Sequence, residues 1–168
     1  MIPPGRFAAL ALAVCGALLS CSRQPSPTLA AAAVASPCDT LAIKAQDVAG
    51  LLHAPITHTT TVAGDAQSCA FLTTGFAAIT FSVRPGLGRA SLEAWNTGKM
   101  PLAVRTLADI GEAAVWQDTL HEVIAQQDNL LCDIQIRAAA DDIAAAADAL
   151  PEALGTLCNR IFAAHKLH

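Results

Sequence analysis

The sequence predicts an α+β domain in which an antiparallel sheet of about five to six strands carries two long helices on one face. Two observations lead to this fold class. Between residues 57 and 137, segments that alternate apolar and polar residues are separated by short turn signals, as in sequential antiparallel strands. At either end of this region, apolar residues recur at helical spacing.

The first predicted helix begins after Pro37, where Asp39 or Thr40 can cap its free amides, and continues to about Leu52. Pro55 ends it. Three strands are predicted next, over residues 57–62, 68–74 and 76–84. The last of these alternates most regularly, which predicts one buried and one polar side.

A short helix that contains Trp95 is predicted to end near Gly98, and a long connection follows. The remaining predicted strands occupy residues 113–117, 122–127 and 130–137. The final helix begins at Asp141 or Asp142. Pro151 either kinks this helix or begins a second helical segment.

The N-terminus has the pattern of an exported protein. Arg6 precedes an apolar run that is too short to span a bilayer stably and ends at Leu18-Leu19-Ser20-Cys21. These four residues resemble the lipobox of bacterial lipoproteins, which implies that Cys21 receives a diacylglyceryl group and becomes the mature N-terminus. An ordinary cleaved signal peptide is the alternative.

This reading divides the chain into three parts: a signal peptide over residues 1–20, a lipidated cysteine with a Ser/Pro/Ala-rich tether over 21–36, and one domain over 37–168. The membrane is then a partner through the lipid on Cys21. We expect a cell-envelope location: the periplasmic face of the outer membrane in a Gram-negative bacterium, and the outer face of the plasma membrane otherwise.

Four cysteines remain in the predicted domain, which in an exported protein points to two disulfides. Sequence allows three connectivities. We favour Cys38–Cys69 and Cys132–Cys158, since each pair lies within one half of the domain. The spacing shows no Cys-x-x-Cys and no histidine near any of the four, so neither a metal site nor a thiol nucleophile is expected.

Three sequence motifs carry a family likeness. They are Pro37-Cys38 before a helix with Asp47-Val48-Ala49 and Leu51-Leu52, then Ser68-Cys69-Ala70-Phe71, and the run from Ala108 to Trp116. Together they resemble small bacterial envelope lipoproteins of unknown function. They are also similar to the extracellular sensor-type domains of mycobacterial receptor kinases. The resemblance implies a disulfide-bonded α+β module, and the family carries no catalytic residues to transfer.

No catalytic constellation is evident, and the chain is predicted not to be an enzyme. The net charge of −4, without a basic patch, disfavours nucleic-acid binding. Trp95 and Trp116 are candidate ligand platforms, with core packing as the alternative. Arg84 and Arg105 are candidates for steering an anionic ligand, with solvated charge as the alternative.

The sequence therefore predicts a lipid-anchored, non-enzymatic module that binds a small ligand or another envelope protein, with no cofactor and no metal. Two alternatives stay open. One is an envelope hydrolase or metal-dependent enzyme with a dispersed site, for which His53, His58 and His121 would have to converge. The other is an inhibitor of a secreted enzyme that acts through the loop Pro85–Gly88.

Overall fold

A computed structural model describes residues 36–87, 89–96 and 104–166. The predicted signal peptide, Cys21 and the tether up to residue 35 lie outside the described residues. The strands are β1 (Ile56–Thr61), β2 (Ser68–Thr73), β3 (Ala78–Pro85), β4 (Val104–Leu107), β5 (Ala113–Gln117), β6 (Glu122–Gln127) and β7 (Leu130–Arg137). The helices are α1 (Pro37–Thr40), α2 (Ala45–Val48), α3 (Arg89–Asn96) and α4 (Leu150–His165).

The strands form one antiparallel sheet in the order β1-β2-β3-β7-β6-β5-β4. This confirms the predicted antiparallel α+β architecture, but the strands number seven rather than five or six. The additional strand is β4, which lies in the predicted connection and pairs with β5. Four residues are too few for alternation to stand out from the surrounding sequence.

One face of the sheet packs against α4 and is called the α4 face. Its buried core side chains come from six strands, β2 to β7, because every second residue of a strand points the same way. The largest of them are Phe71, Ile79, Phe81, Trp116, Val123, Ile134 and Ile136. Phe71 and Phe81 meet edge to face, with ring centroids 5.3 Å apart.

The C-terminal helix is the one long helix among the described residues, and it begins at Leu150 rather than at Asp141. Pro151 lies in its first turn, where a missing N–H costs nothing. Upstream, Ala140–Asp142 forms one turn of 3₁₀ helix. Ile143 then forms an isolated β-bridge with Leu52 in extended conformation, so the segment between this turn and α4 is not helical.

The predicted N-terminal helix is also wrong in its length, and the expected pair of long helices on one face is therefore not formed. Ser36 caps α1 by accepting the N–H of Cys38, but the chain turns extended at Leu41. The backbone N–H of Lys44 then donates to the Asp47 carboxylate (2.7 Å), and α2 starts there. Each piece is a single turn. The helical spacing of the apolar residues did not reveal that the helix is interrupted and restarts at Lys44.

The opposite face of the sheet is partly covered by α3 and is called the α3 face. Its small core consists of Leu92, Val115, Ile124 and Leu131. The short helix predicted around Trp95 is thus present at residues 89–96. The sheet consequently has helical structure on both faces, not on one.

Two disulfides are present, as predicted, and they join Cys38 to Cys69 and Cys132 to Cys158. The first attaches α1 to β2 and the second attaches α4 to β7. These are the two pairs favoured from the sequence. In the described part of the chain, no helix has the length and apolar character that a membrane crossing needs.

Candidate functional site

The structure brings together two of the four residues proposed from the sequence to contact a ligand. Arg105 of β4 lies directly opposite Trp116 of β5. Both residues therefore belong to the α4 face, since directly paired residues of adjacent strands share a face. Trp95 lies in α3, and its side chain is outside the described residues.

Arg84 lies elsewhere, at the end of β3 on the α3 face, and is already engaged. Its Nη2 is 3.3 Å from Oδ2 of Asp65, with which it forms an ion pair. The Ser68 hydroxyl and the Gln67 backbone N–H both donate to the Asp65 carboxylate, and together with Arg84 they lower the pKa of Asp65. Arg84 therefore stabilises the β1–β2 turn and is separate from the Arg105–Trp116 pair.

Trp116 is almost entirely buried, with 2% of its surface exposed. Its indole N–H donates to Oδ1 of Asp118, the first residue of a 3₁₀ turn at Asp118–Leu120. Its ring faces the imidazole of His121, with centroids 6.2 Å apart and planes tilted by 31°. Trp116 is thus a core residue, as in the alternative interpretation of the sequence, but its edge borders a cleft.

This cleft, called the Trp116 cleft, has a volume of about 270 Å³. It lies between the end of the β5–β6 hairpin and the segment that leads into α4. Its lining is mostly small and apolar and consists of Trp116, Asp118, His121, Ala140, Ile143, Ala145, Ala147 and Leu150. Asp118 is the one carboxylate among these described lining residues.

His121 is held in place by its backbone. Its φ of 46° lies in the left-handed region, which is uncommon for a residue with a side chain. Its N–H donates to the carbonyl of Asp118 (3.3 Å) and its carbonyl accepts the N–H of Ile136 (3.0 Å). These two bonds fix the imidazole beside Trp116 and define one wall of the cleft.

A second cleft of about 360 Å³ lies beside Arg105, along the first turns of α4, and it is polar. Asp109 and Glu152 also line it, so it holds two carboxylates against one guanidinium. Asn159 of α4 fixes its floor by donating to the carbonyl of Asp109 (2.9 Å) and accepting the N–H of Gly111 (2.9 Å). This charge balance does not favour the anionic ligand expected from Arg105 alone.

The most unusual chemistry lies at the same hairpin end but on the α3 face. Glu122 begins β6 opposite Gln117 of β5, and only 7% of its surface is exposed. Burial, followed by the negative charge of Asp133, raises the pKa of Glu122 to about 8. Burial also raises the pKa of Asp133, which accepts a hydrogen bond from protonated Glu122.

Three polar atoms in this group have no hydrogen-bond partner: both amide atoms of Gln117 and Oε2 of Glu122. Gln117 is 1% exposed. A buried polar atom without a partner costs about 1–3 kcal/mol, so such a group requires an explanation beyond stability. Neither Gln117 nor Glu122 was predicted as a site residue, because a polar residue at the end of a strand gives no sign of its own burial.

The histidines do not converge. His58 lies on β1, four strand positions from His121 at the start of β6. At about 4.8 Å per position, the two are roughly 19 Å apart. Among the described residues, no group of three or more His, Cys, Asp or Glu side chains could hold a metal ion.

The chain matches no protein-family model, no curated protein and no solved structure. The site must therefore be judged on its own geometry. The end of the β5–β6 hairpin combines a cleft with an aromatic wall on one face and, on the other, the buried carboxyl pair of Glu122 and Asp133, whose pKa values are both raised.

Proposed function

We propose that this chain is a lipid-anchored protein of the bacterial cell envelope that binds a small molecule in the Trp116 cleft and does not transform it. The observation that carries the proposal is the cleft itself, in which an aromatic wall and small aliphatic residues surround one carboxylate. Ligand sites of proteins are typically concave and mostly apolar, with a few fixed polar groups. The two disulfides support export, since such bonds persist in oxidising compartments.

The lining favours a particular ligand chemistry. A volume of about 270 Å³ suits a compact molecule. Ala145, Ala147 and Ile143 offer contact to an apolar body, and Asp118 with His121 offers hydrogen bonds to one polar end. Because Asp118 is the charged group of the described lining, a donor or cationic end is favoured over a carboxylate.

The binding test uses two neighbouring alanines that are both exposed. Ala147 lines the cleft and Ala146 does not. Saturation-transfer NMR would compare small apolar primary amines with carboxylates of the same carbon skeleton. We expect Ala147→Leu to abolish amine binding by filling the cleft and Ala146→Leu to leave it intact. Binding that survives Ala147→Leu, or no binding by any amine, would contradict this ligand site.

The anchoring part of the proposal has a separate test, intact-mass analysis of membrane-extracted protein. We expect a chain that begins at Cys21, carries a diacylglyceryl group, and lacks four protons because of its two disulfides. The matched control is Cys21→Ser, which should be found unacylated. Wild-type protein that is unacylated in the soluble fraction would refute the lipid anchor but not the cleft.

A second candidate function, an envelope hydrolase, is favoured by Glu122. A carboxyl group that stays protonated at neutral pH can serve as a general acid, and perturbed pKa values concentrate at catalytic sites. The test is hydrolysis of chromogenic esters, glycosides and phosphates at neutral pH. Turnover that is lost in Glu122→Gln would favour the enzyme, and no turnover by the wild-type protein would count against it.

A further inference from the structure

The two edges of the sheet are built differently. The edge strand β4 has four residues and carries Arg105. The other edge strand, β1, has six residues, Ile-Thr-His-Thr-Thr-Thr, without a lysine, arginine, acidic residue or proline. Sheets normally protect their edges with short strands, charges or prolines, because an open edge is a template for another strand. The β4 edge follows this rule, whereas β1 has an irregularity only between Ile56 and His58 and is regular and uncharged from His58 to Thr61, where Thr61 Oγ1 meets Ser36 Oγ at 3.0 Å.

The backbone of β1 is oriented for further pairing. Val62, just after β1, donates its N–H to the carbonyl of Ser68 in β2 (3.0 Å). In an antiparallel pair, successive residues direct their N–H and C=O alternately toward the partner and away from it. Thr59 and Thr61 therefore direct theirs away from β2, and the side chains of both residues are exposed.

We propose that β1 pairs with β1 of a second copy of this chain, antiparallel and across a twofold axis at Thr59. Thr59 then lies opposite Thr59 of the other copy, with two backbone hydrogen bonds exchanged between them. His58 lies opposite Thr60 on either side of this pair. The two sheets become one continuous sheet through the regular, uncharged part of β1.

The chemistry of β1 favours a second copy over a different peptide. A strand without charges can pair with itself without placing like charges opposite each other, and cross-strand threonine pairs are favourable. A twofold interface of identical patches is also the commonest form of protein assembly. A charged peptide would find no complementary charge along β1.

Phe76 adds an apolar contact at one end of this edge. It lies in the β2–β3 turn with its side chain fully exposed. Because Ile56 of β1 pairs with Thr73 just before this turn, Phe76 is near the Ile56 end of the edge. Antiparallel pairing brings the Thr61 end of the second copy to the Ile56 end of β1, the same end of the sheet as Phe76.

The test measures the oligomeric mass of the full chain in detergent by light scattering. We expect the wild-type chain to be a dimer. Thr59→Lys and Thr59→Glu should each be monomeric, because like charges face each other at the axis, and an equimolar mixture of the two should recover the dimer. Thr106→Lys on the β4 edge is the matched control and should remain dimeric.

A measurement without mutation makes the result independent of variant folding. In hydrogen exchange, the outward amides of Thr59 and Thr61 should become protected as protein concentration rises. Amides of β4 should not change. A wild-type chain that is monomeric with unprotected Thr59 and Thr61 amides would overturn the proposal, as would a Thr59→Lys chain that still forms dimers.

Discussion

Raising the pH is expected to destabilise this fold through Glu122. The pKa of Glu122 is about 8 in the folded protein, against 4.5 for an unperturbed glutamate. Between these values the folded state holds a proton that the unfolded state has lost, so the free energy of unfolding falls as pH rises. The slope is about 1.4 kcal/mol per pH unit. Because the slope halves as the pH reaches the folded pKa, the loss from about pH 6 to about pH 8 is about 2 kcal/mol, a sizeable share of the roughly 5–15 kcal/mol of a typical domain.

Glu122→Gln isolates this effect. Glutamine has nearly the same shape but no ionisable group, so the slope assigned to Glu122 should disappear. The variant should therefore exceed the wild-type protein in stability above pH 8, where Glu122 would carry a buried charge near Asp133. Glu152→Gln, on the exposed side of α4, is the control for the loss of a carboxylate as such.

Urea unfolding at a series of pH values provides the measurement, with tryptophan fluorescence as the signal because Trp116 is buried. The slope of free energy against urea should stay constant, so that shifts in the midpoint report stability alone. If the wild-type free energy is flat between about pH 6 and about pH 9, or if Glu122→Gln keeps the wild-type slope, the buried protonated carboxyl is refuted.

Two further predictions concern the packing of α4. Replacing Cys132 and Cys158 together by alanine should lower the free energy of unfolding by about 3.5 kcal/mol, from loop closure over a separation of 26 residues, as measured by urea unfolding. Gly155→Ala should also destabilise the protein, because a Cβ at this position would overlap the side chain of Ile110. Overpacking costs about 1–3 kcal/mol and outweighs the gain of about 1 kcal/mol in helix propensity. A Tm of the variant at or above that of the wild-type protein would contradict this prediction.

Alternation of apolar and polar residues, together with the β-branched residues of 57–62, was sufficient to predict six of the seven strands, because both are local properties of the sequence. The N-terminal segment shows where local reasoning ends. Its apolar residues recur at helical spacing, yet the chain becomes extended at Leu41 and restarts at Lys44. The Cys38–Cys69 disulfide holds the first turn against β2, and this long-range constraint is invisible to periodicity.

Only part of the candidate site could be predicted from the sequence, because the rest depends on contacts between distant residues. Trp116 and Arg105 were recognised individually, but their direct pairing depends on β4, a strand too short to be predicted. Glu122 and Asp133 were not predicted as site residues. Their burial depends on which elements cover the α3 face, and no residue of β6 or β7 carries that information locally.

Several unusual features of the molecule meet at the end of the β5–β6 hairpin. Successive residues of a strand point to opposite faces of the sheet. Trp116 and His121 therefore border the cleft on the α4 face, and the residues that follow them, Gln117 and Glu122, lie with the carboxyl pair on the α3 face. The disulfides attach α1 to β2 and α4 to β7, and neither involves this hairpin. The unpartnered atoms of Gln117 and Glu122 and the left-handed His121 thus lie together in a region held by packing and hydrogen bonds alone, whereas at Arg84 a single unpartnered Nε lies beside an ion pair with Asp65. Natural sequences break local rules mainly where function requires it, which is why we place the ligand site here rather than beside Arg84.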